Sequence, residues 1–242
     1  MKLKIFEDYH AMSAAAADLI ISIVNKKPDA VLCFATGNTP VLTYQLLAEK
    51  AKVYKTDFSQ CFCIGLDEWL GVLPDKIGSC HFSLYQQIFQ PMGIMETQIH
   101  LFDGMTTNIE NECRKMNDVI DQKAGIDFLL AGVGLNGHIG FNEPGVDITL
   151  NAHEQELHTT TLTSGQKYFN EVTAIKKGIT VGMAQAMKAR TLLLLANGKN
   201  KASVMQQAIE GEVTNKVPAS FIQQHATGVV MLDKEAASLL SK

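Results

Sequence analysis

Ile126 to Gly145 reads IDFLLAGVGLNGHIGFNEPG, and the two halves of this stretch obey different rules. Phe128 to Val133 is an unbroken apolar run, as expected of a strand buried on both faces of a parallel sheet. The run then breaks into glycines, and Asn136, His138, Asn142 and Glu143 follow on a backbone that those glycines free. Open α/β sheets place their chemistry in loops at the carboxyl ends of parallel strands, which makes this loop the first candidate site. Gly132, Gly134 and Gly137 also spell G-x-G-x-x-G directly after the strand. A dinucleotide cradle needs a helix to open at its last glycine, however, and Gly140, Pro144 and Gly145 come too soon for one. The stretch reads as a rigid catalytic loop.

Upstream, the same passage from strand to turn recurs. Leu3 to Phe6 alternates as a short strand, and Met12 to Val24 carries apolar residues at helical spacing until Lys26, Lys27 and Pro28 end it. Asp29 to Ala35 is a buried strand that runs into Thr36-Gly37-Asn38-Thr39-Pro40 and a helix from Val41 to about Ala51. Thr39 suits the N-cap and Pro40 the first helical position, so the turn Thr36 to Thr39 lies over a helix N-terminus. Two readings stand: an ordinary capped turn, or an anion site where free N–H groups, the helix dipole and hydroxyls converge. The strand Cys61 to Leu66 ends in Asp67-Glu68-Trp69, and each carboxylate is a candidate N-cap, surface charge or catalytic group. A helix over Gly78 to Phe89, closed by Pro91 and Gly93, a short strand near Gln98 to Phe102 and a helix from Asn108 to about Lys123 lead back to the opening strand.

Downstream, Val146 to Thr163 is polar and without periodicity. It is expected to lie extended over the strand ends, with 146–177 as a candidate lid. Lys167 stands beside Tyr168 and Phe169, and Ile179 to Ala189 reads as an amphipathic helix. Thr191 to Ala196 is another buried strand, followed by Asn197-Gly198-Lys199-Asn200-Lys201 and a helix from Ala202 to about Ile209. A lysine at a helix start is unfavourable unless an anion offsets it, so Lys199 or Lys201 is a candidate phosphate contact. A short piece over Val217 to Gln224, a strand over Val229 to Leu232 and a helix over Lys234 to Leu240 complete the chain. Strand and helix alternate throughout, which predicts a single α/β domain over 1–242: one doubly wound, mostly parallel sheet with helices on both faces.

Composition bounds the function. Hydrophobic residues make up 46% and charged residues 19%, which leaves little room for disorder. A net charge of −4 argues against a nucleic-acid surface, since a large phosphate footprint needs clustered Lys and Arg. The five cysteines are odd in number and scattered, and read as reduced core residues of a cytoplasmic protein. Cys61-Phe62-Cys63 has no second Cys or His pair at zinc spacing, so no metal is expected. The opening MKLKIFED carries charges where a signal peptide needs an apolar core, and no apolar run approaches the roughly 20 residues of a membrane span. A soluble, cytoplasmic protein with no membrane partner is expected.

ATGNTP at 35–40, LDEW at 66–69 and GLNGHIGFNEP at 134–144 together resemble the glucosamine-6-phosphate deaminase (isomerase) family, including its galactosamine-6-phosphate branch. The likeness runs over nearly the whole chain, in the same order. It implies a Rossmann-like fold related to 6-phosphogluconolactonase, and a cofactor-free conversion of a hexosamine 6-phosphate into a ketose 6-phosphate plus ammonia. It also implies Asp67 as the base that moves a proton between C2 and C1, and His138 as the acid/base that opens the pyranose ring. Glu143 and Asn136 are then the partners that orient His138, with Thr36, Gly37, Asn38, Thr39 and Lys201 at the phosphate. This division is chemically coherent, because isomerisation needs one carboxylate near C1 and C2 while ring opening needs a separate group at O5. A carboxylate beside a histidine fixes its tautomer.

Departures from the family pattern carry their own expectations. Lys167 falls where the family has an arginine on the phosphate, and a lysine lacks the bidentate fork. Asn136 replaces the aspartate of some members and adds no charge. Trp69, where the glucosamine enzymes usually have tyrosine, looks more like the galactosamine branch. Val146, Asp147, His153 and Gln155 stand where allosteric hexameric members carry serines and basic residues. A monomer or small homo-oligomer without activation by an N-acetylated sugar phosphate is therefore expected. Two other readings remain: a 6-phosphogluconolactonase-like hydrolase, and a non-catalytic sugar-phosphate sensor.

Overall fold

The computed structural model describes residues 1–241. In chain order its elements are β1 (Lys2–Phe6), α1 (Tyr9–Lys26), β2 (Val31–Phe34), α2 (Val41–Tyr54), β3 (Phe62–Gly65) and β4 (Asp67–Trp69). Next come α3 (Cys80–Leu84), which continues through a π-helical turn at Tyr85–Phe89 into α4 (Gln90–Met92), then β5 (Ile99–His100), α5 (Ile109–Gln122) and β6 (Phe128–Gly132). The remainder holds β7 (His153–Glu156), α6 (Thr159–Gly165), β8 (Lys177–Thr180), α7 (Met183–Lys188), β9 (Leu192–Ala196), α8 (Ala202–Glu210) and β10 (Val229–Asp233).

Seven strands form one sheet in the order β1-β10-β9-β6-β2-β3-β5, every pairing parallel. The middle strands show why. Phe128 to Ala131 and Leu192 to Ala196 are wholly buried, so side chains of both faces lie in the core. Each such Leu or Phe contributes about 1.5–3 kcal/mol of burial. Asp127 pins the start of β6: its carboxylate accepts from Lys27 Nζ at 2.6 Å and from the Val31 N–H at 2.8 Å, and pairs with Arg190 at 3.2 Å. From β2 the chain winds outward through β3 to β5, returns to β6 on the other side of β2, and continues through β9 to β10. The loops after β2 and β6 therefore flank the switch point, where open α/β sheets bind ligands.

The strict alternation of strand and helix does not hold. β4, β8 and β7 form a second, antiparallel sheet. Ile179 to Ala189, predicted as one helix, divides into β8 and a helix that starts only at Met183. The break falls at Gly182, where a Cβ would collide with the backbone of Leu150 and Asn151. Segment 146–177 is likewise not simply extended. It folds as β7, α6 and a 3-10 turn at Gln166–Tyr168, packed on a small second core that includes Trp69, Phe141, Leu157 and Phe169. Trp69 is its centre, with ring centroids 4.5 Å from Phe141 and 6.0 Å from Phe169.

Smaller corrections concern helix ends. Pro91 does not stop its helix, which runs to Met92 and ends at Gly93 in the left-handed region (φ 66°). Lys234 to Leu240, predicted as a helix, is a run of turns in which Ala237 N–H reaches Asp233 O and Leu240 N–H reaches Ala237 O. No helix among the described residues is long and apolar enough to cross a membrane.

Candidate active site

A cleft of about 280 Å³ opens at the switch point, lined by Thr36, Gly37, Asn38, Thr39, Asp67, His138, Lys167 and Lys201 among others. Five chain segments distant in sequence thus bring eight candidate residues to one cavity. Glu143 and Asn136 do not line it; they stand behind His138.

One end is built for an anion. The turn Thr36 to Thr39 precedes α2, whose first residue is Val41, and Gly37 adopts φ 99°, open to glycine but strained for other residues. Thr39 does not cap the helix: the cap position is Pro40, and no side chain of the turn accepts there. The capping group is the phenol of Tyr9, which accepts the Leu42 N–H at 3.1 Å and donates to Thr39 O at 2.9 Å. A partner about thirty residues upstream is invisible to local cap rules.

Between Lys199 and Lys201 the structure chooses Lys201, which lines the cleft while Lys199 is exposed elsewhere. Lys201 Nζ donates to Val133 O at 2.6 Å. Burial, with Lys167 close by, pulls its amine down to about 8. Two cations that repel each other beside a helix N-terminus make a site that gains from an anion. Asp233 holds this turn in place by accepting the Gly198 N–H at 2.9 Å.

The other end carries the titratable groups. Asp67 opens β4, and burial pushes its carboxyl up to about 6, with the Cys80 thiol and His138 pulling the other way. Cys80 Sγ lies 3.4 Å from Asp67 Oδ1 and receives the Thr36 hydroxyl at 3.2 Å, so one chain of contacts joins the turn at Thr36 to the Asp67 carboxyl. A carboxyl raised into this range by burial can both take and return a proton near neutrality. Glu68 has a different task. It accepts N–H bonds from Trp69, Cys80 and His81 at 2.8, 2.9 and 2.7 Å, capping α3, and burial lifts its carboxyl to about 7. Of the two adjacent carboxylates, one faces the cleft and the other builds the wall.

His138 faces Asp67 from the loop after β6. Gly134 makes room for it, since a Cβ there would collide with the imidazole. Glu143 Oε2 stands 3.6 Å from His138 Nδ1, while the Thr161 hydroxyl is nearer, at 3.0 Å. Asn136 Nδ2 donates to Glu143 Oε2 at 2.8 Å, and its Oδ1 accepts the His138 backbone N–H at 3.3 Å. Asn136 thus steadies the carboxylate and the loop rather than the ring. Burial alone would raise the Glu143 carboxyl, but His138, Thr161 and Asn136 outweigh it and hold the group at about 2.

Cys80, Thr161 and Tyr168 line the cleft and were not foreseen as site residues. Cys80 and Thr161 sit in no motif. Tyr168, whose hydroxyl approaches Gly37, carried the one signal available, an aromatic beside a lysine.

The doubly wound sheet is shared with solved structures of known enzymes. The 6-phosphogluconolactonase of Trypanosoma brucei superposes with a TM-score of 0.79 at 19% identity, covering 99% of this chain and 98% of the other, a likeness of fold. The solved structure of a monomeric glucosamine-6-phosphate deaminase superposes with a TM-score of 0.95 at 33% identity, covering 99% and 100%. Among curated relatives, the glucosamine-6-phosphate deaminases of Halothermothrix orenii and Thermoanaerobacter pseudethanolicus are 40% and 38% identical over 241 residues, which is 99% of this chain and 100% and 95% of theirs. The family of glucosamine-6-phosphate isomerases and 6-phosphogluconolactonase matches residues 7–231, and the chain belongs to it.

Proposed function

We propose that the chain is an amino-sugar 6-phosphate deaminase that converts glucosamine 6-phosphate, or its galactosamine epimer, into fructose or tagatose 6-phosphate and ammonia. The observation that carries this reading is the disposition of one cleft: cations and a helix N-terminus at one end, and Asp67 facing His138 at the other. Full-length relatives at about 38–40% identity carry the name of this activity, which supports the choice within the family.

The phosphate sits on the turn Thr36 to Thr39, between Lys201 and Lys167. His138, with Glu143 beside it and Asn136 steadying that carboxylate, gives a proton to O5 as the O1 hydroxyl loses one, and the C1–O5 bond breaks to leave the open-chain aldehyde. Asp67, as carboxylate, takes the C2 proton; the C2–H electrons form the C1–C2 enolamine, and the carbonyl oxygen is protonated. Asp67 returns the proton to C1, giving the imine at C2. Water adds to that carbon and ammonia leaves, so one hexosamine phosphate and one water become one ketose phosphate and one ammonia. The residues present supply a base, an acid and charge stabilisation, which suffices for this sequence of proton transfers.

Segment 146–177, resting on Trp69, serves as the lid of a single domain over 1–242. The enzyme acts as a monomer without an activator, and its unpaired, buried cysteines suit a reducing cytoplasm. The test is to supply glucosamine 6-phosphate, galactosamine 6-phosphate and 6-phosphogluconolactone in parallel. Ammonia from one of the amino sugars supports the proposal. Lactone hydrolysis without ammonia assigns the chain to the hydrolase side, and binding without any turnover makes it a sensor.

A further inference from the structure

The imidazole of His138 stands beside the carboxylate expected to orient it but has a nearer partner. Nδ1 is 3.6 Å from Glu143 Oε2, beyond hydrogen-bond range, and 3.0 Å from Thr161 Oγ1. Thr161 is 3% exposed, comes from α6 in segment 146–177, and is, with His138 and Asn136, one of the groups that hold the Glu143 carboxyl low. A threonine hydroxyl has one proton to give and lone pairs to receive. Between a ring N–H and a carboxylate, one ordering satisfies all three groups. Nδ1–H donates to Oγ1, and the hydroxyl donates to Glu143. Nε2 is then the nitrogen left to exchange protons with substrate.

We propose that Thr161 is a positioning residue whose hydroxyl relays the orienting hydrogen bond from His138 to Glu143, so that the acid/base group is complete only while α6 packs over the cleft. This deepens the deaminase reading and rests on it. The same segment reaches Glu143 a second time, through the His158 backbone N–H at 3.3 Å from Oε1. One oxygen of the carboxylate thus has its partner in the cap of α6, and the other is held by Asn136 at 2.8 Å. The other charged groups around the imidazole come from elsewhere: Asp67 from β4, with Lys167 and Lys201 farther along the cleft. α6 itself brings no charge to the ring. Its contribution is a hydroxyl at a set place, and displacement of α6 removes that hydroxyl while Glu143 stays on the loop of His138.

Two variants separate the hydroxyl from packing. Thr161→Val keeps the shape and loses the hydroxyl, and Thr161→Ser keeps the hydroxyl and loses a methyl. In Thr161→Val, kcat for the amino-sugar phosphate is expected to fall on the order of 10- to 100-fold, the loss of one hydrogen bond to an ionised pair. Thr161→Ser should stay within about threefold of the parent. The second readout needs no turnover: the ¹⁵N shifts of the His138 ring report the tautomer, which should be Nδ1–H in the parent and in Thr161→Ser, and mixed in Thr161→Val. An unchanged kcat and tautomer in Thr161→Val, or equal losses in both variants, would overturn the relay. If the parent itself releases no ammonia, the deaminase reading fails, while the ring shifts still decide whether Thr161 sets the tautomer.

Discussion

β9 of the large sheet buries all five of its side chains, whereas β7 of the small sheet buries none of its four. The contrast separates two kinds of support. The turn at Thr36 and Lys201 hang on loops of a sheet whose own apolar area holds it together. Asp67 belongs to a small sheet that stands by cross-contacts, through the Trp69 core, on which the cover of His138 also lies, and the bonds of Thr180 and Asn142 to Phe141 N–H and Val181 O. A rigid anchor next to a smaller sheet whose edge strand is unburied suits an enzyme that grips a substrate at one end and closes over it at the other.

Variants at the two ends should therefore fail differently. The largest effect is expected at the chemical end: His138→Gln should lower kcat by about 10³-fold with KM changed only a few-fold, since general acid–base groups contribute about 10²- to 10⁴-fold. Parallel kcat and KM losses would instead make His138 a binding residue.

At the anchored end, Lys201→Met should raise KM about 10- to 100-fold and leave kcat nearly unchanged, the signature of a lost charge-assisted contact made equally throughout the reaction. Its pH dependence sharpens the point. Lys201 is cationic below its lowered value of about 8 and neutral above it, so kcat/KM should fall above about pH 8 in the parent enzyme. That limb should be absent from Lys201→Met.

The smallest effect concerns stability. Glu143 is held at about 2 in the folded chain, against an ordinary value of about 4.3 when unfolded. Its contribution is therefore complete above the unfolded value and is lost as pH falls from about 4.3 toward 2. Glu143→Gln should lower the denaturant midpoint above pH 5 and flatten its fall across that window, so that the two proteins converge in acid. An equal slope in both proteins would mean that the acid sensitivity arises elsewhere.

The contrast also explains what could be read from sequence. β6 and β9 were legible because a strand buried on both faces leaves an apolar run, and the glycines after Val133 mark where it stops. The turn at Thr36 and the loop at His138 were legible because their chemistry is local and dense. β7 and β8 were not, because His153 to Glu156 alternates nothing and Ile179 pairs across more than a hundred residues with Glu68. The cap of α2 by Tyr9, the contact of Cys80 with Asp67 and the place of Thr161 beside His138 are likewise long-range products of packing. Asp67 and Glu68 show the limit most sharply. Adjacent carboxylates in one motif face opposite ways on a strand, and only pairing with Thr180 and Ile179 decides which meets the cleft.

The central claim is that Asp67 moves the proton between C2 and C1, and the direct measurement follows the fate of the C2 hydrogen in Asp67→Asn. With glucosamine 6-phosphate deuterated at C2, the parent enzyme should cleave the C2–D bond and release ammonia, with kcat/KM declining below about pH 6 as Asp67 takes up a proton. Asp67→Asn should bind the sugar phosphate with unchanged affinity and lose C2–D cleavage by about 10³-fold or more. Cleavage within tenfold of the parent in Asp67→Asn would contradict the account and move the base to another residue of the cleft.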